Sequence, residues 1–185
     1  MNKFLLVAAF VMTNIACWSQ PYVDFKLTPD VSFKTDEGND YEIVMYEGKS
    51  THEIYQLLAT NITSLYNNPS KVMTSVDETT IKIRALGTCF YYTALGRKIF
   101  LTGYYQLLFK IKDGKVRVSA PYFENRTENK DGYVVYLDEH VKKMYRKGNL
   151  KEKAELEYKY ANFTINSIIK SILGLSKKLK EEEDW

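Results

Sequence analysis

The chain has 185 residues, with 26 Lys and Arg against 23 Asp and Glu, for a formal charge of +3. That balance excludes a nucleic-acid partner held by bulk charge. Two cysteines exclude a disulfide framework, and an aromatic share of 14% excludes a disordered chain.

The first residues read as an address. Lys3 precedes an uncharged run from Phe4 to Met12, and small residues lead to Cys17-Trp18-Ser19-Gln20. This is the pattern of a secretory signal peptide over residues 1–19. The run is shorter than the roughly 20 apolar residues of a membrane span. Two exits fit. Cleavage after Ser19 leaves Gln20 in front, whereas Asn14-Ile15-Ala16-Cys17 is similar to a lipobox and makes Cys17 an acylated first residue. The expected location is the periplasm or outer membrane, or outside the cell, with membrane contact only through a lipid on Cys17. Either exit leaves Cys89 unpaired in the chain. Its neighbours Phe90-Tyr91-Tyr92 mark it as a small buried hydrophobe.

Residues 20–40 read as a polar leader ending in Asp36-Glu37-Gly38-Asn39-Asp40. Residues 41–176 then form one domain, and 177–185 a charged tail. Tyr41 to Tyr46 is a strand. Ser50-Thr51-His52-Glu53 is a capping box, and Ile54, Leu58, Ile62 and Leu65 recur behind it at helical spacing. Asn67-Asn68-Pro69 ends that helix. Lys71 to Val76 is a short strand, and Asp77-Glu78 a turn. Thr80 to Leu86 alternates strictly, with Ile81, Ile83 and Ala85 on one face and Lys82 and Arg84 on the other. The segment from Gly87 to Gly103 is aromatic, with a strand near Cys89 to Tyr92.

Two strands, Tyr104 to Lys112 and Lys115 to Phe123, meet at Asp113-Gly114, a dipeptide suited to a type I′ turn. A two-residue loop sets Lys112 opposite Lys115, Ile111 opposite Val116, Lys110 opposite Arg117 and Phe109 opposite Val118. One face is apolar and the other cationic. Residues 124–148 read as a polar connection, with a strand or short helix at Tyr133 to Tyr145. Asn149 is a candidate cap for a last helix with Leu156, Tyr160, Phe163, Ile168, Ile169, Ile172 and Leu173 on its apolar side. Gly174 is a candidate stop.

The segments Tyr46-Glu47-Gly48-Lys49-Ser50 with Glu53-Ile54-Tyr55, and Phe109 to Arg117 around Asp113-Gly114, carry a resemblance. Over about residues 41–123 the chain resembles a domain of unknown function with a TBP-like fold, found in secreted proteins of Bacteroidetes-type bacteria. An aromatic is usual there where Val116 stands, and a tryptophan near the end of the first helix has no counterpart in this chain. The resemblance implies an α+β fold: an antiparallel sheet with helices on one face and the other face open; the C-terminal helix is added by the residue pattern described above. It carries no functional residues.

Catalytic patterns are missing from the sequence. There is no Gly-x-Ser-x-Gly elbow and no phosphate-cradling loop. His52 lies in the capping box. Asp138-Glu139-His140 are neighbours in sequence, and neighbours on one element seldom converge on an ion. A Cys89–His140 dyad needs a meeting in space that the sequence does not supply. No cofactor or metal is expected. Three sequons, at Asn61, Asn125 and Asn162, carry no weight in a bacterial protein.

The cationic face remains. Lys82, Arg84, Lys110 and Arg117 are candidates to hold an anionic envelope component, such as a lipid headgroup or an acidic glycan. Tyr104 and Leu108 share that face and suit a protein partner or a second copy in a homodimer. The expectation is an exported, non-catalytic binding module working through the open sheet face. The alternative is a small envelope hydrolase with a site assembled from scattered residues; a deep pocket of perturbed titratable groups would favour it.

Overall fold

Alternation along two long strands dictates the architecture. The computed structural model describes residues 23–175; the signal segment, the exit residues Cys17 to Gln20 and the charged tail 177–185 lie outside them. The elements begin with a hairpin, β1 (Lys26–Leu27) and β2 (Phe33–Lys34), then β3 (Tyr41–Met45), α1 (Thr51–Leu65) and α2 (Pro69–Val72). The strands β4 (Met73–Val76), β5 (Thr80–Ala94), β6 (Arg97–Lys112), β7 (Lys115–Ser119), β8 (Tyr122–Glu128) and β9 (Val134–Tyr136) follow. Next come α3 (Leu137–Met144), the small ladder β10 (Tyr145–Arg146) and β11 (Asn149–Leu150), a 3₁₀ turn and α4 (Glu155–Ile172).

The main sheet has seven strands in the order β3-β7-β6-β5-β4, with β8 on β6 and β9 on β8. Every pair is antiparallel. Ile81, Ile83, Leu107, Phe109, Ile111, Val116 and Val118 point to one face and are buried. The stripes Ile54, Leu58, Ile62 of α1 and Ile165, Ile169, Ile172 of α4 complete that core. This is the expected α+β arrangement, with the C-terminal helix in place.

The first helix forms as its sequence demands. Ser50 accepts from the Glu53 N–H while Glu53 accepts from the Ser50 N–H, so the capping box is complete. The Lys110–Arg117 register is also as expected. The turn type is not. Gly114 alone has positive φ, at 73°, so Asp113-Gly114 is no type I′ turn. Asp113 is held instead by its carboxylate, which accepts from Thr51 N–H and Oγ1, both at 2.7 Å. The hairpin is thereby tied to the start of α1. Paired positive φ angles occur at Asp77-Glu78, Leu95-Gly96 and Lys147-Gly148.

The aromatic segment 87–103 is the middle of one ladder, interrupted by a register shift between Gly87 and Phe90. Gly87 and Gly103 are partners there. A Cβ on Gly87 would stand 2.7 Å from the Tyr105 ring, and one on Gly103 2.8 Å from Thr127 Cγ2. Glycine lets the ring and the neighbouring strand approach at that point.

Other expectations change in part. The leader contributes Val23, Phe25, Leu27 and Phe33 to the core, because their alternation faces α4. Residues 124–148 hold most of β8, which was not expected, and then β9 and α3, where a strand or short helix was expected. Asn149 lies in β11 and caps nothing; α4 starts at Glu155. Leu156 and Phe163 are exposed, since the buried stripe runs through Ala161, Ile165 and Asn166. Gly174, at φ 70°, does end the helix.

Asn166 fixes the leader. Its side chain accepts from Phe25 N–H at 2.9 Å and donates to Phe25 O at 2.8 Å, both buried. Asn162 accepts from Leu27 N–H at 2.9 Å. Replacing Asn166 with Leu leaves the Phe25 amide and carbonyl buried without partners, at a cost of roughly 3 kcal/mol. Urea unfolding of Asn166→Leu should show that loss; an unchanged midpoint would refute the clamp.

Candidate functional site

The open face of the sheet gathers every residue expected there. Outward positions of β5 are Lys82, Arg84 and Leu86; those of β6 are Tyr104, Gln106, Leu108, Lys110 and Lys112. Register sets Lys82 beside Leu108, Arg84 beside Gln106 and Tyr104 beside Leu86. Arg117 and Lys115 of β7 extend the face to β3, where Ile43 and Met45 point outward. Val76 and Tyr122 join from β4 and β8. Ile43, Met45, Val76, Leu86 and Tyr122 are each at least half exposed.

The cations on this face differ in kind. Arg84 donates to both oxygens of Glu124, at 2.7 and 2.9 Å, and lies 3.8 Å from the Tyr104 ring centre. That contact holds the Glu124 carboxyl below its ordinary range and pushes the Arg84 guanidinium up. Arg84 is thus neutralised in place. Arg117 stacks over Tyr41 at 4.0 Å. Lys82, Lys110, Lys112 and Lys115 have no acidic side chain within ion-pair distance among the described residues. Sequence reasoning missed Glu124, which lies in the segment read as a connection. It also missed Ile43 and Met45, because Tyr-Glu-Ile-Val-Met carries apolar residues on both faces.

Cys89 is buried, and burial pushes its thiol up to about 12. It is an inert core residue beside the Tyr66–Tyr105 hydroxyl pair. His52 is exposed and meets Glu78 at 2.8 Å. Among the described residues no three His, Cys, Asp or Glu groups converge as a metal site.

A second site, absent from the sequence reading, lies where α3, β9, the end of β5 and the start of α4 meet. It is a cleft of about 700 Å³ whose lining includes Tyr92, Tyr136, His140, Lys143, Lys153 and Glu157. The His140 side chain is 9% exposed and the Glu157 side chain 14%. Glu157 Oε1 accepts from Thr93 N–H at 3.0 Å, and Oε2 stands 4.0 Å from His140 Nε2. That gap is too long for a hydrogen bond. Burial pushes the imidazole down, opposed by its hydrogen bond to the Tyr91 backbone. Burial pushes the Glu157 carboxyl up, opposed by Thr93. Nothing in the local sequence joins His140 to Glu157; only the packing of α4 against β5 does.

With this geometry established, similarity to solved structures becomes informative. One is a DUF4468 family protein from Bacteroides ovatus, with TM-score 0.52 and 14% identity over 72% of this chain and 84% of that one. Another is a TBP-like protein from Parabacteroides distasonis, with TM-score 0.53 and 12% identity over 75% and 91%. The fold is TBP-like. No protein-family model and no curated protein matches the sequence. The TBP-like likeness carries the architecture and not an activity. Among the described residues no helix is long and apolar enough to cross a membrane.

The pH response of the cleft follows from burial. His140 titrates below its ordinary 6.5 in the folded state, so the stability it contributes is present above pH 6.5 and lost as pH falls through the folded value. Glu157, raised above 4.5, acts in the opposite sense. Between pH 7.5 and 5.5, wild type should lose more stability in urea unfolding than His140→Gln. Parallel losses would show that His140 is not desolvated.

Proposed function

We propose that this protein is an exported, non-catalytic binding module whose open sheet face docks on an anionic lipid surface of the cell envelope. The observation that supports this most directly is the mixing of side chains on the face. Four lysines without acidic partners among the described residues, and Arg117, interleave with Ile43, Met45, Leu86, Val76 and Tyr122. Cations meet headgroup phosphates, and short apolar side chains enter the boundary beneath them. Cross-strand like-charge pairs, Lys110–Arg117 and Lys112–Lys115, are relieved by the same anions. A second copy apposed on this face would instead set lysines against lysines. The signal-like amino terminus supplies the route to such a surface.

The test is co-sedimentation with phosphatidylglycerol-containing vesicles, against neutral phosphatidylcholine vesicles. Wild type should bind the anionic vesicles in a salt-dependent way. Each cation near the surface contributes about 1 kcal/mol, so Lys110→Ser with Arg117→Ser should weaken binding about thirtyfold. Equal binding by wild type and double variant would overturn the role of the face. Binding to an acidic polysaccharide with none to vesicles would overturn the lipid assignment.

The amino terminus of the protein recovered from cells tests export. A start at Gln20 or at acylated Cys17 fits the proposal. A start at Met1 in the cytoplasmic fraction would refute it.

A further inference from the structure

Among the described residues, His140 Nε2 is the buried side-chain polar atom that lacks a hydrogen-bond partner. It belongs to a residue more than nine-tenths buried, lining the cleft of about 700 Å³. Its nearest acid is Glu157 Oε2, at 4.0 Å. A buried polar atom left unpaired costs about 1–3 kcal/mol, and such atoms are uncommon in native folds.

The gap has a definite chemistry. An oxygen about 2.8 Å from each atom fits between two groups separated by 4.0 Å. Nε2 is the ring nitrogen that lacks a partner. With one proton on the pair, the gap offers one donor and one acceptor, whichever group holds it. A hydroxyl donates once and accepts through its lone pairs, so it answers both arrangements. A carboxylate, which only accepts, does not.

The walls extend the description of the ligand. Tyr92, Tyr136 and Met144 give an apolar and aromatic lining. Lys143 sits close enough to His140, and Lys153 close enough to Glu157, to act on their charges. A lysine thus lies near each member of the pair, with Glu139 the remaining acid of the lining. A volume of this size is typical of small-molecule sites.

We infer that this cleft binds a small, ring-bearing hydroxylated carboxylic acid, its hydroxyl bridging His140 Nε2 and Glu157 Oε2 and its carboxylate toward Lys143 and Lys153. The inference is independent of the sheet face. It adds a ligand site and no reaction.

The experiment is an NMR titration of the full-length protein, reading the His140 ring resonances, with 4-hydroxybenzoate as probe and benzoate as its hydroxyl-free control. 4-Hydroxybenzoate should shift the ring saturably, and benzoate should bind about tenfold more weakly or less, as expected when a buried pair is left unmatched. Glu157→Gln keeps a donor and an acceptor and should retain binding within a few-fold. Lys153→Ser, a surface change, should weaken it. Equal binding of the two probes would overturn the hydroxyl bridge. No shift by either probe up to its solubility limit would overturn the site and leave a buried water as the occupant of the gap. The wild-type comparison stands whether or not any variant folds.

Discussion

The antiparallel ladder between β5 and β6 is the constraint on which the rest depends. It joins Thr80–Ala94 to Arg97–Lys112; β4, β7 and β8 attach to one of these two directly, and β3 and β9 through β7 and β8. Because side chains alternate, the ladder has one apolar face, and helices can gather only there. The register shift at Gly87 to Phe90 changes that phase. Below it, Ile81, Ile83 and Ala85 face the helices and Lys82 and Arg84 face outward. Beyond it, Phe90 and Tyr91 are both buried, Phe90 against Phe123 and Tyr91 against Tyr160. One ladder thus carries an open face at one end and a cleft at the other.

The cleft end raises an edge problem. β4 covers β5 only from Thr80 to Ile83, which leaves backbone groups farther along the strand without a ladder partner on that side. An uncovered edge invites pairing with another chain. Here α4 covers it with side chains. Tyr160 donates its hydroxyl to Thr88 O at 3.0 Å, and Glu157 accepts from Thr93 N–H. The helix closes the edge, and in doing so it brings Glu157 to His140.

Local rules made half of this legible. The capping box, the alternation of β5, the hairpin register and the Gly174 stop each need only a few adjacent residues, and each appears as read. What failed needed partners far apart in sequence. The leader looks polar until Asn162 and Asn166 take up the backbone of Leu27 and Phe25. As sequons Asn61, Asn125 and Asn162 carry no weight, but each side chain bridges distant elements: Asn61 to Ile172 O, Asn125 to Asp138 N–H, Asn162 to Leu27 N–H. Phe163 and Leu156 belong to the apolar side of the helix by sequence, but the phase at which α4 meets β5 leaves them exposed. The cationic face was visible because its residues alternate locally. The cleft was not, because its lining comes from β5, β9, α3 and α4.

The two surfaces use charge in opposite ways. On the sheet face the lysines stay solvated, so their repulsion is weak and an anion is gained at little desolvation cost. In the cleft, His140 and Glu157 are largely buried, and each is shifted toward its neutral form. One carboxylate links the two regimes. Oε1 of Glu157 is committed to Thr93 and secures the strand edge, while Oε2 faces His140. A carboxylate anchored through one oxygen cannot swing to close a 4.0 Å gap without releasing the edge it covers. The gap beside His140 and the cover on the edge of β5 thus depend on the same contact.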